Sequence, residues 1–300
     1  MDEGGSETWY VVLRRSSGSY NIGRQIRGNG GIIAKVTRLL RRAGLCLSLF
    51  LTLPNDEYEP RTFAFRFGIP LVLKVTNRTV STEADALRYL NGVVPHLPIP
   101  RLIGSFELDD KVYTIMTKLS GHRLLDKWQD ITAKKCTDVV VKEVTEILYQ
   151  LWDVRQPAEI RGQVMMSASG HGLPHPRTLH ESLGGPYSST IECYDSMCDT
   201  KMSNIPPHIS TALAQDPIVW VHTDLRMQNV LVDDDGHVTG IVDWEDSGWL
   251  PRHWQLHILR RPQLGCMGAW VIHWQSGFRC DDDTECAYKA SLDGVLVYPL

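Results

Sequence analysis

The stretch from 218 to 246 constrains this chain more than any other. "IVWV" enters a polar loop, "HTDLRMQN"; "VLV" leaves it, "DDDG" turns and "HVTGIVDW" returns. This alternation of strand-forming and turn-forming residues predicts strand, loop, strand, turn, strand. Residues 221–246 also hold six aspartates, one glutamate, two histidines and an asparagine. Asp224 and Asn229 bound the loop, while Asp243 ends the returning strand, where a hairpin brings it back beside them. Two carboxylates and an amide converging through oxygen suit Mg²⁺, a hard cation that takes a few carboxylates plus phosphate and water oxygens. Asp233, Asp234 and Asp235 lie in the turn itself and read as solvated turn residues.

The chain has 300 residues, 43% of them apolar and 22% charged, with a net charge of -4. That length carries one two-lobed unit or two domains, and the composition is that of a globular protein. Residues 8–55 hold eight Lys or Arg and no acid, but no nucleic-acid motif or interleaved aromatic run accompanies them, so a solvated surface is expected there and no nucleic-acid partner. Seven cysteines without a CxxC pair fit neither a disulfide framework nor a common zinc spacing. Reduced thiols in the cytoplasm are the expectation. The N-terminus is acidic and not a secretory signal. "AGLCLSLFLTL", residues 43–53, is too short to span a bilayer and reads as a buried strand or helix.

The pattern changes near residue 118. Before it, "RTFAFRF", "LVLKV" and "KVYTIMT" read as an antiparallel sheet interrupted by one helix. After it the pattern is helical: Val140, Val144, Ile147, Leu148 and Leu151 recur on one helix face. Residues 158–218, rich in Gly, Pro, Ser and His, read as loops with short helices. In "PLVLKVTNRTVSTEADALRYL" a period of two puts Lys74 on the strand face of Val72, opposite Leu71, Leu73 and Val75. On the next helix Glu83 shares a face with Leu87 and Leu90, whereas Asp85 pairs outward with Arg88.

His222, Asp224 and Asn229 spell H-x-D-x-x-x-x-N, and Asp243 follows in "IVDWED". This wording resembles the aminoglycoside phosphotransferase and choline kinase family, especially its fungal members. Trp244 and Glu245, where protein kinases usually carry Phe-Gly, favour small-molecule kinases over protein kinases. The resemblance covers roughly residues 61–300. It implies a two-lobed, protein-kinase-like α+β fold: an N-terminal extension at 1–60, an N-lobe at 61–117 that binds nucleotide, and a C-lobe at 118–300 with the catalytic loop and the acceptor site.

It further implies ATP and Mg²⁺ as cofactors and a small-molecule hydroxyl as acceptor. Asp224 would be the catalytic aspartate, Asn229 and Asp243 the metal ligands, and His222 a structural member of the loop. Lys74 would meet the phosphates and pair with Glu83, Val72 and Met116 would line the adenine site, and Thr117, Lys118 and Leu119 would offer backbone groups to the base. Arg226 would pair with a phosphate or, preferably, with a neighbouring acid. Trp249, Pro251 and Trp254 would be packing residues of a helical core.

Glu245 and Asp246, just past the metal aspartate, together with Asp281, Asp282, Asp283 and Glu285, form acidic walls that would favour a cationic or polar acceptor. The pattern is broken in one respect: no glycine-rich loop precedes Lys74, so closure over phosphate would fall to "EPRTFAFRFG". That gap keeps a nucleotide-binding pseudoenzyme open as an alternative, with a protein kinase less favoured. A carboxylate-rich metal hydrolase is a blander option, one that leaves Lys74 and Glu83 unexplained.

Overall fold

The computed structural model describes residues 61–174, 183–198, 201–261 and 267–293, with short stretches at 8–9, 26–27, 41–42, 44 and 51–54. The basic segment, the proposed extension and most of the 43–53 run therefore lie outside the described residues. Its C-terminal end is described: Thr52–Pro54 is strand β1 and pairs antiparallel with β2, Thr62–Phe65. The N-lobe sheet thus begins before residue 61.

β2 leads through a turn at Phe67 and Gly68, both with positive φ, into β3, Leu71–Thr76. Helix α1, Glu83–Val93, follows, then β4, Leu102–Leu108, and β5, Lys111–Thr117. The five strands run antiparallel in the order β1-β2-β3-β5-β4. Pleating separates the two faces of β3. Leu73 joins Leu108 and Tyr113 in a small outer cluster, while Val72 joins Met116 in the main core. Opposite Val72 on β5 lies Met116, and opposite Lys74 lies Thr114.

Helix α1 starts where its residues direct it to start. Thr82 Oγ1 accepts from the Asp85 amide at 3.3 Å and Asp85 Oδ2 accepts from the Thr82 amide at 3.1 Å, a capping box. That box fixes Glu83 in the first turn, facing inward with Leu87 and Leu90, while Asp85 also holds Arg88 at 3.0 Å on the outer side. The helix is shared between lobes. Tyr89 stacks on Trp220 of the C-lobe with ring centroids 5.3 Å apart.

The C-lobe opens with β6, His122–Arg123, α2, Leu124–Ala133, and α3, Thr137–Trp152. The predicted apolar face of α3 is buried in full. The 158–218 region holds short helices, including α4, Thr190–Met197, and α5, Pro207–Gln215. β7, Ile218–Val221, pairs with β10, Gly248–Pro251; β8, Val230–Val232, and β9, Val238–Ile241, form the hairpin, and β6 adds to its outer side.

The chain ends in α6, His253–Arg260, α7, Gly268–Gly277, and α8, Asp282–Asp293. Trp244, Trp249, Trp270 and Trp274 are fully buried, and Trp254 and Pro251 are buried too, so these rings build a core and not an aromatic cage. Beneath β7, Asp216 ties the helices together: it accepts from the His253 ring at 2.7 Å and from Thr284 Oγ1 at 2.8 Å, and the other side of that ring meets Tyr194 Oη. No helix among the described residues is long and apolar enough to cross a membrane.

Candidate active site

The β8–β9 hairpin registers Val230 against Ile241, and the Val242 amide donates to the Asn229 carbonyl at 2.9 Å. Asp243 therefore leaves the hairpin beside the loop that Asn229 closes. Its φ of 66° is left-handed, a conformation aspartate tolerates better than most residues and one that recurs at functional sites. His222 locks the loop from below. The Asp224 amide donates to His222 Nδ1 at 3.2 Å, which leaves the proton on Nε2, 3.0 Å from the Val242 carbonyl it donates to. With the ring 1% exposed, His222 is a structural brace.

Asn229 Nδ2 donates to the Asp224 carbonyl at 2.7 Å and to Asp224 Oδ2 at 2.9 Å. Both donor hydrogens of the amide are then spent, which sets its orientation and turns Oδ1 away as an acceptor. The neighbouring acid of Arg226 is Asp224 itself, with Nε 2.5 Å from Oδ1. Burial pushes the Asp224 carboxyl up, and the Arg226 charge holds it back only in part, so the net shift is upward.

Lys74 Nζ sits among three carboxylates: Glu83 at 3.0 Å, Asp243 at 2.6 Å and Glu245 at 3.5 Å. Burial alone would drive this amine down, but the three acids together outweigh it and hold it well above the ordinary lysine range. Burial likewise works to raise Asp243, and the Lys74 charge and hydrogen bond overcome it, leaving the carboxylate below its usual value. Glu83 is 2% exposed and its Oε1 accepts from the Trp244 amide at 3.1 Å, so α1 is tied directly to the segment that carries Asp243.

Lys74, Glu83, Asn229 and Asp243 border a cleft of about 600 Å³ between the lobes. Val72, Met116 and Lys118 also line it. Two expectations are corrected here. The Thr117 and Lys118 amides donate to the Arg101 and Pro70 carbonyls at 2.9 and 2.8 Å, so neither is available to a base. The next donor along the chain is Leu119. Residues 63–68 are a strand and its turn, which closes the hairpin at the Leu71 end, away from Lys74, so they do not fold over phosphate, whereas Thr62 pairs opposite Lys74 and lines the cleft. The connection before them, 55–60, lies outside the described residues.

Glu245 and Asp246 do not present a free acidic wall. Asp246 is bound by Arg78 at 2.6 Å, Arg78 also reaches the Glu245 carbonyl at 2.5 Å, and the Glu245 carboxylate points to Lys74. Farther out, Asp281 is paired with Arg252 and Glu285 with Arg260 at 2.6 Å. The cation these acids attract is a side chain of the protein. Arg78 gave no signal in the sequence because its partner lies 168 positions away.

Burial, beside Asp243 and Asp246, pushes Glu245 up to about 7 despite Lys74. A carboxyl with a raised pKa binds its proton more tightly folded than unfolded, so it takes stability away as pH climbs from about 4.5 through about 7. Glu245→Gln removes that slope. The variant is expected to gain stability relative to wild type between pH 5 and pH 8 in paired denaturant titrations; a parallel pair of curves would place Glu245 in water.

Residues 192–278 match the family model described as the phosphotransferase enzyme family. Among solved structures, aminoglycoside phosphotransferase APH(4)-Ia is similar at 18% identity and a TM-score of 0.54, covering 86% of this chain and 90% of that one. The apo form of a thermostable mutant of the same enzyme gives 19% identity and a TM-score of 0.53 over 81% of this chain and 84% of that one. No curated protein matches by sequence. The chain thus carries the aminoglycoside phosphotransferase fold, and its segment from 192 to 278, which includes the H-x-D-x-x-x-x-N loop, matches the model of the phosphotransferase enzyme family.

Proposed function

We propose that this protein is a kinase that moves the γ-phosphoryl group of ATP to a hydroxyl of a small molecule. The observation that carries the reading is the convergence, on one interlobe cleft, of the Lys74–Glu83 pair, Asp243, and Asn229 with its anchored partner Asp224. A carboxylate-rich hydrolase leaves the buried lysine that joins Glu83 to Asp243 unexplained. The strand at 52–54 and residues 61–117 form the nucleotide lobe, and residues from 118 onward the catalytic lobe.

In this reading Val72 and Met116 pack against the adenine, and the Leu119 amide and the Lys118 carbonyl read its edge. Lys74, held by Glu83, meets the phosphates. Asn229 Oδ1 and the Asp243 carboxylate would hold Mg²⁺, whose chemistry is to neutralise and orient the phosphate oxygens. The donor set fits: one amide oxygen is left over from Asn229, and one carboxylate is kept ionised by Lys74. The remaining ligands of such an ion would be phosphate and water oxygens.

Asp224 then accepts the proton of the acceptor hydroxyl as that oxygen bonds to the γ-phosphorus. The bond from γ-phosphorus to the bridging oxygen breaks, and its electron pair leaves with ADP. Burial suits Asp224 to this, since a raised carboxylate is the better proton acceptor. The acceptor is a polar hydroxyl compound, and with Asp246 and Glu245 engaged, a cationic acceptor would need acids other than these two. A cytoplasmic location fits the five free thiols among the described residues.

One observation favours a second reading. Residues 55–67 contain no glycine, the residue that lets a loop approach phosphate closely, so a pseudoenzyme that binds nucleotide without transfer is the alternative. The test is thermal stabilisation by ATP with and without Mg²⁺, followed by a screen of hydroxyl compounds for ADP release. Mg²⁺-dependent stabilisation with acceptor-dependent ADP release supports the kinase, stabilisation without release supports the pseudoenzyme, and neither would remove both.

A further inference from the structure

Arg226 is two residues from Asp224, in a loop whose backbone is pinned: its amide donates to the Asp224 carbonyl, and its own carbonyl accepts from the Asn229 amide, both at 2.9 Å. The side chain is a quarter exposed and lies with Nε 2.5 Å from Asp224 Oδ1. Since Asn229 holds Oδ2, a hydroxyl that gives its proton to Asp224 must arrive at a carboxylate already touched by a guanidinium. The reacting oxygen would sit about 3 Å from Asp224, with the γ-phosphorus one bond beyond it. Arg226 is therefore rooted where the transferring group passes.

Two other cations beside Asp243 and Glu245 are already engaged. Lys74 is shared among Glu83, Asp243 and Glu245, and Arg78 is held by Asp246 and the Glu245 carbonyl. The segment between β1 and β2 offers no glycine and includes Asp56, Glu57 and Glu59. Phosphoryl transfer runs on positioning and charge neutralisation, and a planar guanidinium is well shaped to span two phosphoryl oxygens.

We propose that Arg226 is a catalytic residue with two partners. It rests on Asp224 while the cleft holds no nucleotide, and it swings onto the γ-phosphoryl oxygens during transfer, releasing Asp224 to the acceptor hydroxyl in the same movement. The inference rests on the kinase reading and adds to it a charged group that binds the phosphoryl during transfer and not ADP.

The test needs no knowledge of the acceptor. Calorimetry would measure the affinity of wild type, Arg226→Gln and Arg226→Lys for Mg·ADP alone and with fluoroaluminate, a mimic of the phosphoryl group in flight. Slow hydrolysis of ATP, with water as acceptor, would be followed alongside. Wild type should bind Mg·ADP more tightly with fluoroaluminate. Arg226→Gln should keep its Mg·ADP affinity within about twofold, lose most of that tightening, and drop in kcat by roughly 10²–10³-fold with little change in KM for ATP. Arg226→Lys should recover part of both.

Fluoroaluminate binding and hydrolysis unchanged in Arg226→Gln would overturn the proposal, leaving Arg226 as a partner of Asp224 only. Loss of Mg·ADP affinity in that variant would also overturn it, by making Arg226 a support of the loop. If wild type binds Mg·ADP but gains nothing from fluoroaluminate, the proposal fails while the nucleotide site stands. If wild type binds no nucleotide at all, the kinase reading itself fails.

Discussion

Asp224→Asn is expected to leave Mg·ATP affinity nearly unchanged and to cut phosphoryl transfer by roughly 10²–10⁴-fold, the loss typical of a missing acid–base partner. The asparagine keeps the size of the side chain and can still accept from Asn229 Nδ2 through its own oxygen. It cannot take a proton, and it removes the charge that Arg226 faces. The two effects separate cleanly. A single-turnover experiment with saturating Mg·ATP reads the chemical step, and calorimetry reads the binding. A variant that binds and transfers like wild type would make the loop aspartate structural.

Asp243→Asn should fail earlier, at binding. The carboxylate is the closest partner of Lys74 and the only charged group in the donor set assigned to Mg²⁺. Neutralising it weakens the hold on the ion, and it also frees Lys74 from one of three acids. Mg²⁺-dependent ATP affinity is expected to drop by roughly tenfold or more, at about 1.4 kcal/mol per decade, with turnover falling further because the phosphates are no longer oriented. The check is ATP affinity across a Mg²⁺ series for both proteins. Equal, metal-independent affinities would place the ion elsewhere. The contrast with Asp224→Asn is the informative part: one variant binds without transferring, the other scarcely binds.

Much of this site could be read from the sequence because its signals are local. A two-residue period placed Lys74 with Val72, the helix face shared with Leu87 and Leu90 turned Glu83 inward, and the 230–241 hairpin returned Asp243 to Asn229. What escaped depends on tertiary contacts. "AGLCLSLFLTL" is apolar in a way that strand and helix share, so only its pairing with β2 reveals Thr52–Pro54 as a sheet edge. Which backbone groups of Thr117–Leu119 stay open was not legible either, because the Lys118 amide is taken by the Pro70 carbonyl, on the approach to another strand. Charge gave the wrong picture of Asp246, Asp281 and Glu285: a run of acids looks like a wall until each arginine folds onto its own carboxylate. The Asp216–His253–Tyr194 chain gave no signal at all, since its three members are spread over 60 residues and meet only in the packed core.

The central claim is that this cleft transfers phosphate and does not merely hold nucleotide. The direct measurement is ³¹P NMR of the purified protein with ATP, Mg²⁺ and the hydroxyl compound that releases most ADP in the screen. The account predicts a new phosphomonoester resonance growing in step with ADP, absent without Mg²⁺ and suppressed in Asp224→Asn. ATP that binds in the presence of Mg²⁺ yet yields no phosphomonoester with any acceptor tried would contradict it.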